Sequence, residues 1–245
     1  ISLRTMPEIT ARETELLGET VSYDVRRSND ATEPRIDVDI QGVTVVLPQT
    51  NSENPETLLV ENAAWVIETK RKYDTYREQV PDRRFEPGET FPFLGEPHEI
   101  VIERRRSSNV ADSILALAEH HVEQTSVKRA LETLYRRKAR DRFEDRAEYY
   151  ASEMDVDYEQ IEVRNQRTKW GSCSTTGTLG LNWRLMMAPP EVVDYIVIHE
   201  LAHLRESNHN DAFWSLVADY DPEYEAHAEW LEEHSTRLIF SDEDL

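Results

Sequence analysis

HELAHLRESNH, His199 to His209, decides how the rest of this chain is read. Its first five residues, His199-Glu200-Leu201-Ala202-His203, form the pattern HExxH. Residues four apart on a helix share one face, so both imidazoles can reach a single ion. Glu200 lies about 100° round the helix from His199, where a carboxylate can take a proton from metal-bound water without occupying a coordination position. The pattern demands a helix, and the residues before it supply one. Pro189 and Pro190 suit a helix start, Glu191 complements its dipole, and Val192, Val193, Ile196 and Val197 form an anchoring apolar face.

A catalytic zinc normally takes three protein ligands and leaves a fourth position open. His209 stands six residues beyond His203, where the helix should end. The spacing is that of the metzincin pattern HExxHxxGxxH, with Glu206 in place of its glycine. Without glycine the turn is expected to place Ser207 or Asn208 in the left-handed conformation. No Met-turn follows, because Met186 and Met187 precede the helix, so the spacing is shared and metzincin descent is unsupported. The rival third ligands are carboxylates: Asp211, Glu223, Glu225 and Glu229. In a chain with 49 acidic residues a downstream Glu carries little information, and His209 is the expected ligand.

The 49 acidic residues stand against 28 basic ones, of which five are Lys, giving a formal charge of −21. Such a surface repels phosphate backbones, so no nucleic-acid partner is expected. Acidic, Arg-rich and Lys-poor composition is what an extreme halophile would carry, since concentrated salt screens self-repulsion. No apolar run approaches membrane-spanning length, and no basic-then-apolar leader is visible, so the expected location is the cytoplasm and no membrane partner is expected. Cys173 is the only cysteine, which excludes an intrachain disulfide.

Along the chain, residues 1–20 are polar and aperiodic, an expected lead-in. VSYDVRR and RIDVDI alternate, the latter with Ile36, Val38 and Ile40 on one face, and VTVVLP reads as a buried strand. Pro55 opens a helix carrying Leu58, Leu59, Ala63, Val66 and Ile67, and FPFLGEPHEIVIE returns to strand. VADSILALAEHHV and the long segment from Ser126 to Met154 read as helices; IEVRNQRTKWGSCS and TLGLNWRL read as a hairpin around Thr176-Gly177. No internal repeat is apparent. Arg104-Arg105-Arg106 and the Arg136–Arg146 stretch read as solvated faces, the second interleaved with acids at helical pair spacing. The fold class is therefore α+β: a lead-in over 1–20, a small β-rich domain with one helix over 21–107, and a helical domain over 108–245 with a short antiparallel sheet before the HExxH helix.

TKWGSCS (Thr168 to Ser174), LNWRLMMAPPEVVDYIVIHELAHL (Leu181 to Leu204) and NHNDAFWSLV (Asn208 to Val217) resemble the YgjP-like metallopeptidase family of the zincin superfamily. The β pattern ending in VVLP and the LGEPHEIVIE strand are also similar, so the resemblance spans roughly Val21 to His234. It implies a zincin-like domain, one Zn2+ per chain held by His199, His203 and His209, and Glu200 as catalytic acid/base. It also implies an intracellular zinc peptidase acting on peptide or protein substrates, with the hairpin before the helix as the place where extended substrate would pair. Two other functions compete: a metal-binding interaction module without proteolysis, and a hydrolase using Cys173 as nucleophile. Nothing in the sequence beside Cys173 supplies a base, and a small structural residue is the simpler reading. His98, His120, His121, His227 and His234 read as surface or capping histidines.

Overall fold

The computed structural model describes residues 9–29, 31–39, 41–167 and 169–244. These divide into two compact units, one ending at Val80 and the other spanning Pro81–Asp244. The expected boundary at 107/108 falls inside the second unit, because a sheet assigned to the N-terminal domain shares its core with later helices.

The first unit holds strands β1 (Ile9–Leu16), β2 (Glu19–Ser28), β3 (Arg35–Asp39) and β4 (Gly42–Pro48), ordered β1-β2-β4-β3. β1/β2 and β3/β4 are antiparallel pairs, while β2 and β4 run parallel. α1 (Pro55–Glu61) and α2 (Ala63–Glu78) follow, and α1 is capped by Asn54, whose Oδ1 accepts the Glu56 N–H at 3.1 Å. Val21, Tyr23, Val25, Val43, Val45 and Leu47 pack on Leu59, Ala63, Val66 and Ile67. Ile36 and Val38 cover this core in part, as expected; Ile40 lies outside the described residues. The single expected helix is two, divided at Asn62. Part of the expected lead-in is strand β1, of which Thr14 and Leu16 are buried; residues 1–8 lie outside the described residues. Polar residues fill most of this edge strand, so no hydrophobic period marked it.

In the second unit β5 (Thr90–Phe93), β6 (Glu96–Glu103), β7 (Asn109–Ala111) and β8 (Ile114–Ala118) are ordered β5-β6-β8-β7, with the same parallel and antiparallel pairings as the first sheet. Two helices again follow, α3 (Glu119–Gln124) and α4 (Val127–Met154). The first hairpins of both sheets turn through Leu-Gly with positive φ at both residues: Leu17-Gly18 and Leu94-Gly95. The topology is thus repeated, although only this turn betrays it in sequence. VADSILALAEHHV is not one helix: Asp112 and Ser113 take positive φ in a tight turn, and ILALA is a central strand. A continuous apolar run suits a buried strand and a buried helix equally well, which is why its period misled.

Ile100, Leu115 and Leu117 of this sheet share a core with Leu131, Leu134, Tyr135 and Ala139 of α4. β9 (Gln160–Arg164), β10 (Gly171–Cys173) and β11 (Thr178–Asn182) then form a sheet ordered β10-β11-β9. The β10/β11 hairpin turns at Gly177 as expected, but β9 pairs parallel to β11, so the sheet is mixed rather than antiparallel. A 3₁₀ turn, Trp183–Met187, leads to α5 (Pro190–Ala202), α6 (Asp211–Tyr220) and α7 (Tyr224–His234). α5 is held to α4 by charge as well as by packing. Arg146 meets Asp194 with two bonds of 2.8 Å, and Arg142 adds a third at 3.2 Å. Arg142 and Arg146 therefore face a neighbouring helix, whereas Arg136 and Arg140 make the expected pairs along α4.

The last segment is structural. Phe240 is buried, with ring centroids 4.9 Å from Trp183, 5.0 Å from Phe85, 5.9 Å from Phe91 and 6.1 Å from Tyr135. Phe240→Ala should lower stability by about 3–5 kcal/mol. Tryptophan fluorescence during denaturation checks this, since four of the five Trp lie in the second unit. An unchanged midpoint would contradict the packing.

Candidate metal centre

α5 is buried on most sides, as a central helix must be: Val192, Val193, Tyr195, Ile196, Val197, Ile198, Glu200, Leu201 and Ala202 are all buried. Pro190 occupies its first turn with Glu191, matching the expected start. His203 is its C-cap residue and keeps right-handed helical geometry, φ −63° and ψ −18°. The chain then leaves through tight backbone bonds: Leu204 N–H to Leu201 O at 3.0 Å, Arg205 N–H to Ala202 O at 3.0 Å, and Glu206 N–H to Ala202 O at 2.9 Å. No residue from 203 to 210 has positive φ, so the expected left-handed residue at Ser207 or Asn208 is not used. Successive amides stacked on the last carbonyls make the turn without glycine. Asn210 then caps α6, its Oδ1 accepting the Phe213 N–H at 2.9 Å, and this places His209 immediately before the new helix.

The turn brings His199, His203 and His209 together, with one ring nitrogen from each lying within 4.8 Å of the others. The Nε2 atoms of His199 and His209 are 3.1 Å apart. Two nitrogens on a tetrahedral zinc at about 2.0–2.1 Å would stand about 3.3 Å apart, so the spacing suits a shared ion. His203 Nδ1 lies 3.2 Å from the Glu206 carbonyl, which holds a proton on Nδ1 and leaves the Nε2 lone pair available. Burial, followed by the charges of His203 and His209, pushes His199 down to about 4, and burial also lowers His203. Both shifts favour the neutral imidazole, the form that binds metal. Among the described residues no other group of three potential ligands converges, and Asp211, Glu223, Glu225 and Glu229 belong to none.

α6 supplies walls that sequence reasoning did not assign. Phe213 lies 4.9, 4.7 and 4.7 Å from the rings of His199, His203 and His209. Trp214 stacks on His209 at 5.6 Å and on Tyr224 at 5.2 Å. The NDAFW segment carried this information only as adjacent large apolar residues one turn beyond a cap.

Glu200 is 5 % exposed, and burial raises its carboxyl to about 7 against the opposing pull of Lys169. It packs on β10 at Gly171. A Cβ added there would lie 2.7 Å from both Cγ and Cδ of Glu200 and would overlap the carboxylate itself. Any side chain at the glycine of KWGSC would therefore force the glutamate of HExxH or the strand above it to shift. Cys173 sits on the same strand, where burial and then the Glu200 charge push its thiol up, away from the thiolate a nucleophile needs.

Asn182 and Arg184 hold the loop before β10. Asn182 Nδ2 donates to Gln166 O at 2.7 Å and Lys169 O at 3.2 Å; Arg184 Nη2 donates to Gln166 O at 2.7 Å and its guanidinium lies 5.3 Å from the Trp170 ring centre. Tyr195 instead lies beside the triplet, its ring 5.8 Å from His199, and burial pushes its hydroxyl up to about 12. Of the other histidines, His98, His227 and His234 bond Glu96 O, Asp221 and Trp230 O respectively.

Residues 32–234 match the family model described as YgjP-like, metallopeptidase domain. A metallopeptidase domain is thus the class to which this fold and site are assigned. The chain belongs to the YgjP-like family. A 37-residue stretch is 49 % identical to the UTP pyrophosphatase of Escherichia coli (strain K12), covering 15 % of this chain and 22 % of that protein. The solved metallopeptidase zymogen of Pyrococcus abyssi abylysin is 26 % identical over 37 % of this chain and 93 % of its own, with a TM-score of 0.34. That of Methanocaldococcus jannaschii jannalysin is 23 % identical over 37 % of this chain and 88 % of its own, also with a TM-score of 0.34.

The Gly171–Glu200 contact is directly testable. Gly171→Ala should destabilise the protein by about 1–3 kcal/mol through overpacking. In a Glu200→Ala background most of that cost should vanish, and denaturation of the four proteins in the cycle measures it. Equal costs in both backgrounds would show that the two residues do not meet.

Proposed function

We propose that this chain is a zinc-dependent peptidase in which His199, His203 and His209 hold one Zn2+ and Glu200 is the general base. When bound, the ion supplies a Lewis acid for the scissile carbonyl and lowers the pKa of a water molecule. Glu200 takes a proton from the attacking water at its carboxylate and delivers it to the leaving amine as the C–N bond breaks. β10 lies at the edge of its sheet, so Gly171–Cys173 offers backbone donors and acceptors to an extended peptide. The observation that carries the reading is the convergence of three imidazole nitrogens within 4.8 Å at the end of a buried helix, with a buried carboxyl at the next position. Among the described residues no helix is long and apolar enough to cross a membrane. A cytoplasmic location, which the family resemblance implies, and a salt-rich habitat, suggested by the acidic, Lys-poor composition, complete the proposal.

A second reading has its own support. The identity with a UTP pyrophosphatase favours hydrolysis of a nucleotide phosphoanhydride at the same centre, with water attacking phosphorus instead of carbon. A metal-binding module without turnover is the third.

One set of assays separates them: the Zn2+-loaded protein is offered a broad peptide library and, separately, UTP. Peptide cleavage is expected, lost on chelation and restored by Zn2+. Glu200→Gln should lower kcat by about 10²–10⁴-fold while one equivalent of metal stays bound. His209→Ala should lose metal, measured by elemental analysis. UTP turnover without peptide cleavage would move the assignment to the second reading, and neither activity would favour the module. Cleavage that survives chelation and disappears in Cys173→Ser would sink the metal mechanism.

A further inference from the structure

The second unit contains a cavity of about 170 Å³ between the β6–β7 connection, α3 and the first half of α4. Arg106, Ser107, Ser108, His120, His121 and Arg137 line it, and no carboxylate does. In a chain carrying −21 this is the reverse of what composition supplies. The neighbouring charges explain why the pocket stays positive. Arg104 is matched by Glu119 at 3.0 Å and Arg105 by Glu103 at 3.1 Å. Neither Arg106 nor Arg137 has a carboxylate at ion-pair distance among the described residues.

The donors are also pre-arranged. Arg137 donates through Nη2 to the Ser108 carbonyl, which anchors the guanidinium at the wall and leaves its other N–H groups free. Ser108 Oγ already accepts the Ala118 N–H at 3.0 Å, so its own hydrogen is left to donate. Thr133, also on the wall, donates instead to Arg129 O at 2.8 Å and adds no donor. Two guanidiniums, two imidazoles and a serine hydroxyl with few competing acceptors suit a compact, multiply charged oxyanion. We propose that this cavity binds a phosphate group, free or as a small phosphomonoester, at a site separate from the histidine triplet.

Calorimetric titration of the metal-loaded protein with inorganic phosphate and with O-phosphoserine tests this, with acetate as comparison. Saturable phosphate binding at about millimolar Kd or tighter is expected, with acetate at least about tenfold weaker. Tighter binding of O-phosphoserine would mark the monoester as the preferred source, and tighter inorganic phosphate the free anion. The double variant R106Q/R137Q should weaken binding at least about tenfold. R106Q alone, which removes no side-chain hydrogen bond or ion pair among the described residues, should weaken it in the same direction with an unchanged unfolding midpoint. Binding should persist after metal is stripped and the chelator dialysed away. No saturable binding, acetate binding as tightly as phosphate, or binding lost with the metal but kept in R106Q/R137Q would each overturn the proposal.

Discussion

An ionisable side chain kept in the protein interior needs a site shaped for it, and Glu200 has one. Its carboxylate fits under β10 only because Gly171 has no side chain, and much of the second unit can be understood as holding these two elements together. β10 is placed by its hairpin with β11, and β11 in turn by its parallel pairing with β9. The loop before Gly171 is pinned at Gln166 and Lys169 by Asn182 and Arg184, two polar residues buried for that purpose. On the other side α5 is fixed by α4, through a stripe of Ala and larger apolar residues and through the ion pairs at Asp194. A buried carboxylate of raised pKa is costly to the fold, and such sites commonly mark function.

Around the histidines the same logic uses aromatic rings. Phe213 touches all three imidazoles, and Trp214 stacks between His209 and Tyr224. His209 is the most exposed of the triplet and sits outside regular structure, so its position depends on the turn after α5 and on the Asn210 cap. That turn uses no positive φ and is held by bonds to Leu201 and Ala202. The departure from glycine at Glu206 is therefore compatible with the geometry, and the Glu206 carbonyl has a task of its own against His203.

The repeated topology gives the chain a simple plan. Two hairpins joined by a parallel pair and followed by two helices occur once before Val80 and again before Met154. In the second copy the last helix lengthens to 28 residues and becomes the platform for α5. The first copy ends in a 16-residue helix instead.

HExxH, the helix start at Pro190 and the β10/β11 turn at Gly177 could all be read from the residues alone, because each rests on local geometry: a helical period, a cap, a positive φ. The strands of the first unit were likewise legible wherever apolar residues alternate. What needed the tertiary structure was everything set by contact between distant segments. The apolar run ILALA became a strand because a parallel neighbour was waiting at β6, and β1 became a strand despite its polarity because β2 pairs with it. The lack of a side chain at Gly171 matters because Glu200 packs against it. Sequence determined which residues could carry the chemistry, since side-chain type and helical spacing are local properties. Only the fold decided that His209 joins them and that a glycine 29 positions before Glu200 makes room for it, because packing between distant segments has no local signature.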